Sequence, residues 1–206
     1  MPEIFTSIPI DSSENWIKVW KIEEPIDFFK TIPLDWYETI LKNKKSAIQK
    51  SESLAARYCL FEICKTLNVE YAQLDVNENG APLFIDSDLE ISLTHSYPYV
   101  AAIVCQKKSI GIDIEKKGRK ILKIAPRFLN ELEFERWQND HIQLTLAWSM
   151  KESIYKACKT PGLSFQNAIN LSENFTNPFT SEVENESLNI YWEIFDEFVL
   201  SVAVKK

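Results

Sequence analysis

Residues 109–120 read SIGIDIEKKGRK. Side chains alternate along a β-strand, so Ile110, Ile112 and Ile114 share one face, and Gly111, Asp113 and Glu115 share the other. The isoleucines can fill a core. The two acids then point the same way, about 7 Å apart along the strand at its ~3.3 Å rise per residue. Carboxylates that converge repel one another unless a cation lies between them. An oxygen-only donor set suits Mg²⁺, which keeps waters and takes further oxygens from substrate phosphates. Gly111 leaves room for a close approach to the strand. A strand with a wet acidic face would carry the same pattern.

Working outward, "LAWSMKESIYKAC" (146–158) has helical spacing. Trp148, Glu152, Tyr155 and Lys156 fall on one side. Glu152 and Lys156 could be an ordinary surface pair. The apolar bulk of Trp148, Met150, Ile154 and Tyr155 around them suggests instead a partly desolvated site, where Glu152 adds a third carboxylate. A third cluster, "SLTHSYP" (92–98), ends a strand with Thr94, His95 and Ser96, all short-range donors for phosphate.

The rest of the chain supplies a frame of mixed elements. Strands are expected at 16–22, at "AQLDV" and "PLFI" around the turn "NENGAP" (77–82), at "EISLTHS" and at "YVAAIVC". "DFFKTI" reads as a short helix, followed after Pro33 by one long helix or two, with Asp35 as a candidate cap and Leu54, Tyr58, Phe61 and Leu67 as the apolar stripe. Helices follow at 120–128, 131–138 and 141–159, the last stopped by Pro161 and Gly162. "LSFQNAINLS", "LNIYWEIF" and "FVLSVAVKK" read as strands, with an acidic loop between the first two. The order is strand, helices, strands, given twice. The expected fold is α+β in two halves, 1–108 and 109–206, with the acidic strand in the second.

Composition narrows the function class. The chain has 206 residues, 45% apolar and 26% charged, an ordinary globular mix. No apolar run nears the ~20 residues of a spanning helix, and no signal peptide is read at the start, so the expectation is a cytoplasmic protein without a membrane partner. Cys59, Cys64, Cys105 and Cys158 have no metal-type spacing and are expected as reduced, mostly buried thiols. A net charge of −7 argues against wrapping nucleic acid. The charge is uneven: residues 107–127 hold eight Lys or Arg, and residues 171–204 hold none. The basic stretch is either a solvated face or a docking patch for an acidic partner or phosphates.

Taken together, "GIDIEK" (111–116), "WSMKESIYK" (148–156) and "SLTHS" (92–96) resemble the 4′-phosphopantetheinyl transferases of the surfactin-synthetase-activating type. "GAP" (80–82) departs from that family's pattern, with Ala81 where lysine is usual. The resemblance implies a pseudo-twofold α/β fold, each half a small antiparallel sheet with helices, acting as a monomer. It implies a transferase that moves the phosphopantetheine arm of coenzyme A to a serine of an acyl or peptidyl carrier protein, releasing 3′,5′-ADP. By the same analogy Asp113, Glu115 and Glu152 would ligate Mg²⁺, and Lys156 would contact the pyrophosphate. His95 would meet the 3′-phosphate with help from Lys45, Lys50 and Arg57. Pro82 and Thr94 would lie near the nucleotide, and the carrier would dock near Lys116–Arg127. Glu152 is the expected general base, directly or through a water. Two other readings compete: a non-catalytic carrier- or coenzyme-binding module of the same fold, and a metal-dependent nuclease built on Glu115, Lys117 and Asp86 or Asp88.

Overall fold

The computed structural model describes residues 3–4, 8–10, 14–69, 74–77, 82–85, 87–118, 120–171, 173 and 175–206. Gly80, Ala81, Asp86 and Arg119 therefore lie outside the described residues, as does most of the "NENGAP" turn. The chain divides into two compact units, Met1–Thr6 with Asp11–Lys107 and Ser7–Ile10 with Lys108–Lys206. Both are α+β, with small antiparallel sheets and helices.

The first unit carries a four-stranded sheet in the order β1 (Glu3–Ile4), β2 (Asn15–Lys21), β6 (Tyr99–Gln106), β5 (Leu89–Ser96), and a separate ribbon of β3 (Leu74–Val76) with β4 (Pro82–Phe84). β5 and β6 form a hairpin that closes at Ser96 opposite Tyr99. "DFFKTI" is a 3₁₀ helix over Ile26–Thr31. Two helices follow Pro33: α1 (Leu34–Asn43) and α2 (Ala47–Thr66). Asp35 does not cap α1. Pro33 occupies that position without a side-chain bond, and Asp35 sits in the first turn, where a negative charge favours the helix N-terminus. α2 starts at a capping box, Ser46 Oγ accepting from the Gln49 N–H at 3.1 Å while Gln49 Oε1 accepts from the Ser46 N–H. Its apolar stripe is rotated from the expected one. Leu54, Ala55, Cys59, Leu60, Ile63 and Cys64 form the core, and Tyr58, Phe61 and Leu67 pack at its edge. Small residues of α2, Ala55 and Cys59 among them, lie in that core.

The second unit has the sheet order β7 (Ile110–Lys116), β10 (Phe198–Lys205), β9 (Glu186–Phe195), β8 (Phe179–Val183), antiparallel throughout. Helices α3 (Ile121–Phe128) and α4 (Glu131–Trp137) lead into α5 (His141–Cys158). Asp140 caps α5 by accepting from the Ile142 and Gln143 N–H groups at 2.9 and 3.1 Å. The helix ends at Lys159, which takes a left-handed conformation (φ 55°), before Pro161 is reached. α5 lies on β7, β10 and β9, and Leu144, Ala147, Met150, Ile154 and Ala157 bury into the core there.

Two expectations fail in this unit. In "LSFQNAINLS" residues 163–171 are not a strand but a run of turns and irregular backbone, and β8 lies inside the stretch read as an acidic loop. The first has alternating apolar residues, yet side chains rather than a neighbouring strand satisfy its backbone: Glu133 accepts from the Leu171 N–H, and Lys151 donates to two of its carbonyls. In β8 the burial alternates as a half-buried strand should, with Phe179, Ser181 and Val183 inside and Thr180 and Glu182 outside. Its short length and polar flanks conceal it. Cys59, Cys64 and Cys105 are buried, Cys158 is half-buried, and all are free thiols.

Candidate active site

β7 presents its acids as the alternation requires. Ile110, Ile112 and Ile114 are buried on one face. On the other, Gly111 lies under α5 so closely that an added methyl group would come 2.0 Å from the Ser153 carbonyl oxygen. The close approach anticipated at Gly111 is that of a helix backbone. It brings the α5 side chains at 148, 149, 152 and 156 down onto Asp113 and Glu115.

Lys156 Nζ donates to Asp113 Oδ1 at 2.8 Å and to the Ile112 carbonyl at 2.9 Å. Lys156 thus pairs with the strand acid and not with Glu152, its neighbour one turn back. Ser149 Oγ donates to the Asp113 carbonyl at 3.2 Å and shares a 2.9 Å hydrogen bond with Ser201 Oγ on β10. Trp148 Nε1 donates to Glu115 Oε1 at 2.9 Å. Asp113 is buried, and Glu115, Glu152 and Lys156 are half-buried.

Such crowding of carboxylates in a partly dry place has an electrostatic consequence. Burial, then the charge of Asp113, pushes the Glu115 carboxyl up to about 7, against the opposing pull of Trp148 and Lys156. Burial and the same Asp113 charge push Glu152 above its usual range, with Lys156 opposing. A cation added among the three acids would relieve both effects.

Asp113, Glu115 and Glu152 fit a hard divalent cation by donor chemistry, since carboxylate oxygens are what Mg²⁺ takes and it needs only one or two from the protein. As they stand, no three His, Cys, Asp or Glu side chains among the described residues form a ready-made cage. Lys156 and Trp148 occupy one oxygen each of Asp113 and Glu115.

In the first unit, Thr94 and His95 stand at the end of β5, Thr94 buried and His95 half exposed. Glu52 of α2 reaches that end. Its Oε1 accepts from the Tyr97 N–H at 3.0 Å and lies 3.6 Å from His95 Nδ1. Arg57 is half-buried and makes no hydrogen bond or ion pair with a described residue; burial alone holds it below its usual value. Lys50 is in the first turn of α2, Lys45 is exposed in the link before it, and Pro82 is half-buried in β4.

Sequence reasoning missed Lys151 and Glu133. Lys151 is fully buried and donates to Glu133 Oε2, the Phe165 carbonyl and the Ile169 carbonyl at 2.7, 2.8 and 2.7 Å. A signal was present: Lys151 sits at i+4 from Ala147 and i−3 from Ile154, in the middle of the core stripe of α5.

Comparison with known proteins bears on the same elements. The sequence model of the 4′-phosphopantetheinyl transferase superfamily matches residues 109–203. A holo-[acyl-carrier-protein] synthase of Mycoplasma mobile is 35% identical over an alignment of 101 residues that covers 47% of this chain and 78% of that protein. The 4′-phosphopantetheinyl transferase gsp of Aneurinibacillus migulanus is 34% identical over 86 residues, covering 39% of this chain but only 35% of that protein. Among solved structures, Thermotoga maritima holo-[acyl-carrier-protein] synthase superposes with a TM-score of 0.40 at 22% identity, over 48% of this chain and 62% of that one. The family match spans β7 through β10, so it takes in the strand with Asp113 and Glu115 and the helix with Glu152 and Lys156; with identity to the Mycoplasma protein over most of that protein's length, the chain belongs to the 4′-phosphopantetheinyl transferase superfamily.

Proposed function

We propose that this chain transfers the 4′-phosphopantetheine arm of coenzyme A to a serine hydroxyl of an acyl or peptidyl carrier protein. The observation that carries this reading is the meeting of Asp113, Glu115, Glu152 and Lys156 where α5 lies on β7. Family membership supports the reaction class.

In the reaction, the serine Oγ attacks the phosphorus that bears the pantetheine. The bond from that phosphorus to the bridging oxygen breaks, and 3′,5′-ADP leaves. Negative charge grows on the leaving phosphate. Lys156, fixed by Asp113 and the Ile112 carbonyl, holds a positive charge in the site without having to reorganise. Glu152, raised by burial and by Asp113, takes the serine proton directly or through a water. Asp113, Glu115 and Glu152 would hold Mg²⁺, which when bound supplies charge neutralisation at the pyrophosphate.

The first unit offers groups for the nucleotide. Arg57 is a half-buried cation that no described residue neutralises, and a phosphate would supply the missing anion. Exposed His95, with Glu52 behind it, and buried Thr94 lie at the end of β5. We assign the 3′-phosphate to His95 and Arg57 with Lys50 and Lys45, with Pro82 and Thr94 near the nucleotide. Exposed Lys120, Lys123 and Arg127 share one side of α3 by their i, i+3, i+7 spacing and form the docking face for an acidic carrier. Lys116 and Lys117 are already engaged, with Glu197 and with the Asp196 carbonyl. We read the chain, halves 1–108 and 109–206 together, as a cytoplasmic monomer. Among the described residues no helix is long and apolar enough to cross a membrane.

Titration of the chain with coenzyme A tests the nucleotide assignment. Arg57→Gln should weaken binding about tenfold, the loss of one charge-assisted contact. It should leave the affinity for 3′-dephospho-coenzyme A unchanged. Equal weakening of both ligands would move Arg57 away from the 3′-phosphate.

A further inference from the structure

Lys151 takes no part in the mechanism above, yet its surroundings are the most fully determined in the second unit. Its ammonium has three donors, and three acceptors meet it at 2.7–2.8 Å: Glu133 Oε2 and the carbonyls of Phe165 and Ile169. Glu133 is buried too. Its Oε1 accepts from the Leu171 N–H at 2.9 Å, and its Oε2 accepts from the Asn130 N–H at 3.1 Å. One buried ion pair therefore ties α4 and α5 to both ends of the 165–171 segment. Among the described residues that segment lacks a strand partner; besides this pair it is held by Gln166 Nε2, which donates to the Pro126 and Leu129 carbonyls, and by Asn130 Nδ2, which donates to Asn170 Oδ1.

The clamp fixes an aromatic ring. Phe165 stacks on Trp148 (centroids 5.6 Å apart, planes at 20°) and on Tyr155 (5.3 Å, 25°). Phe128 packs against Trp148 at 4.9 Å. The indole is held between two rings, and in that pose its Nε1–H reaches Glu115 Oε1. Buried ion pairs are weak sources of net stability, because desolvation offsets most of their attraction. What this pair fixes in place explains its presence better than stability does.

We propose that Lys151 and Glu133 are positioning residues that act through Phe165 and Trp148 to set the orientation of Glu115. The catalytic consequence rests on the transferase reading above, while the structural one does not.

The test uses the full chain with Lys151→Met/Glu133→Leu, which replaces the ion pair with apolar side chains, and with Phe165→Leu and Phe165→Tyr, which leave the pair intact. Two quantities are read. One is the solvent exchange of the Trp148 indole N–H by NMR, its resonance assigned through Trp148→Phe. The other is kcat and KM for transfer to an apo carrier protein. The double variant and Phe165→Leu should exchange the indole proton faster and lose about tenfold in kcat with KM for coenzyme A unchanged, as expected when a reacting constellation is loosened. Phe165→Tyr, which keeps the ring, should restore both. A folded double variant with wild-type exchange and kcat would overturn the proposal and leave the pair merely structural. If the double variant does not fold, Phe165→Leu decides by the same two readings, and wild-type values there would overturn it. If the wild-type chain transfers nothing, the transferase reading fails while indole exchange still decides the positioning.

Discussion

A methyl group at position 111 would sit 2.0 Å from the Ser153 carbonyl oxygen, 2.9 Å from the Ala157 nitrogen and 2.9 Å from Lys156 Cβ. Backbone cannot yield as a side-chain tip can, so Gly111→Ala must push α5 away from β7. We expect a loss of about 3 kcal/mol, the upper range for overpacking, and loss of transfer as Lys156 leaves Asp113. Denaturant unfolding at wild-type stability would refute the tight packing at this point. Glu152→Gln makes the opposite prediction. It removes a charge from a crowded cluster, so the thermal midpoint should hold while kcat falls by about 10²–10³, the scale of losing a transition-state contact. Asp113→Asn should lower kcat on the same scale and lower the thermal midpoint as well, because it breaks the ion pair with Lys156. An active Asp113→Asn enzyme would sink the assignment of the acids. At this scale Asp113, Glu115, Glu152 and Lys156 were legible because strand and helix periods fix which side chains share a face. The partner of Lys156 was not. Helical spacing offered Glu152, and only the tertiary approach of β7 supplied Asp113 in its place.

Elements were legible to the extent that their reasons are local. β7 and β9 declare themselves by alternation, β10 by its apolar run, and α5 by its apolar period. The 163–171 segment misled because its apolar residues alternate while its backbone partners, Lys151 and Glu133, lie 14 to 38 residues away. The stripe of α2 was rotated because small residues such as Ala55, Ala56 and Cys59 are weak signals in sequence but fit best where a helix lies on a sheet. α3 bears a prediction of its own. Its exposed cations Lys120, Lys123 and Arg127 lie apart from the acids of the site in sequence and share one helix side. Reversing the three to Glu should raise KM for an acidic carrier about tenfold or more and flatten its salt dependence, leaving KM for coenzyme A unchanged. Equal changes in both KM values would assign α3 to the cofactor.

For the whole molecule, we propose that an acidic chain of net charge −7 meets an acidic partner through a local basic face. The carboxylates that dominate elsewhere, along residues 171–204, lie on other elements. Fold class and reaction class were legible at this scale because two motifs in order, one on a strand and one on a helix, constrain both. The relation between the 1–108 and 109–206 halves is not written in any local pattern, since no sequence repeat marks it. The most direct test of the central claim is intact-mass spectrometry of an apo carrier protein incubated with this chain, coenzyme A and Mg²⁺. The account predicts a gain of one phosphopantetheine, abolished by EDTA and by Glu152→Gln. No gain on acyl or peptidyl carriers, from a chain that binds coenzyme A, would contradict it and leave a binding module in its place.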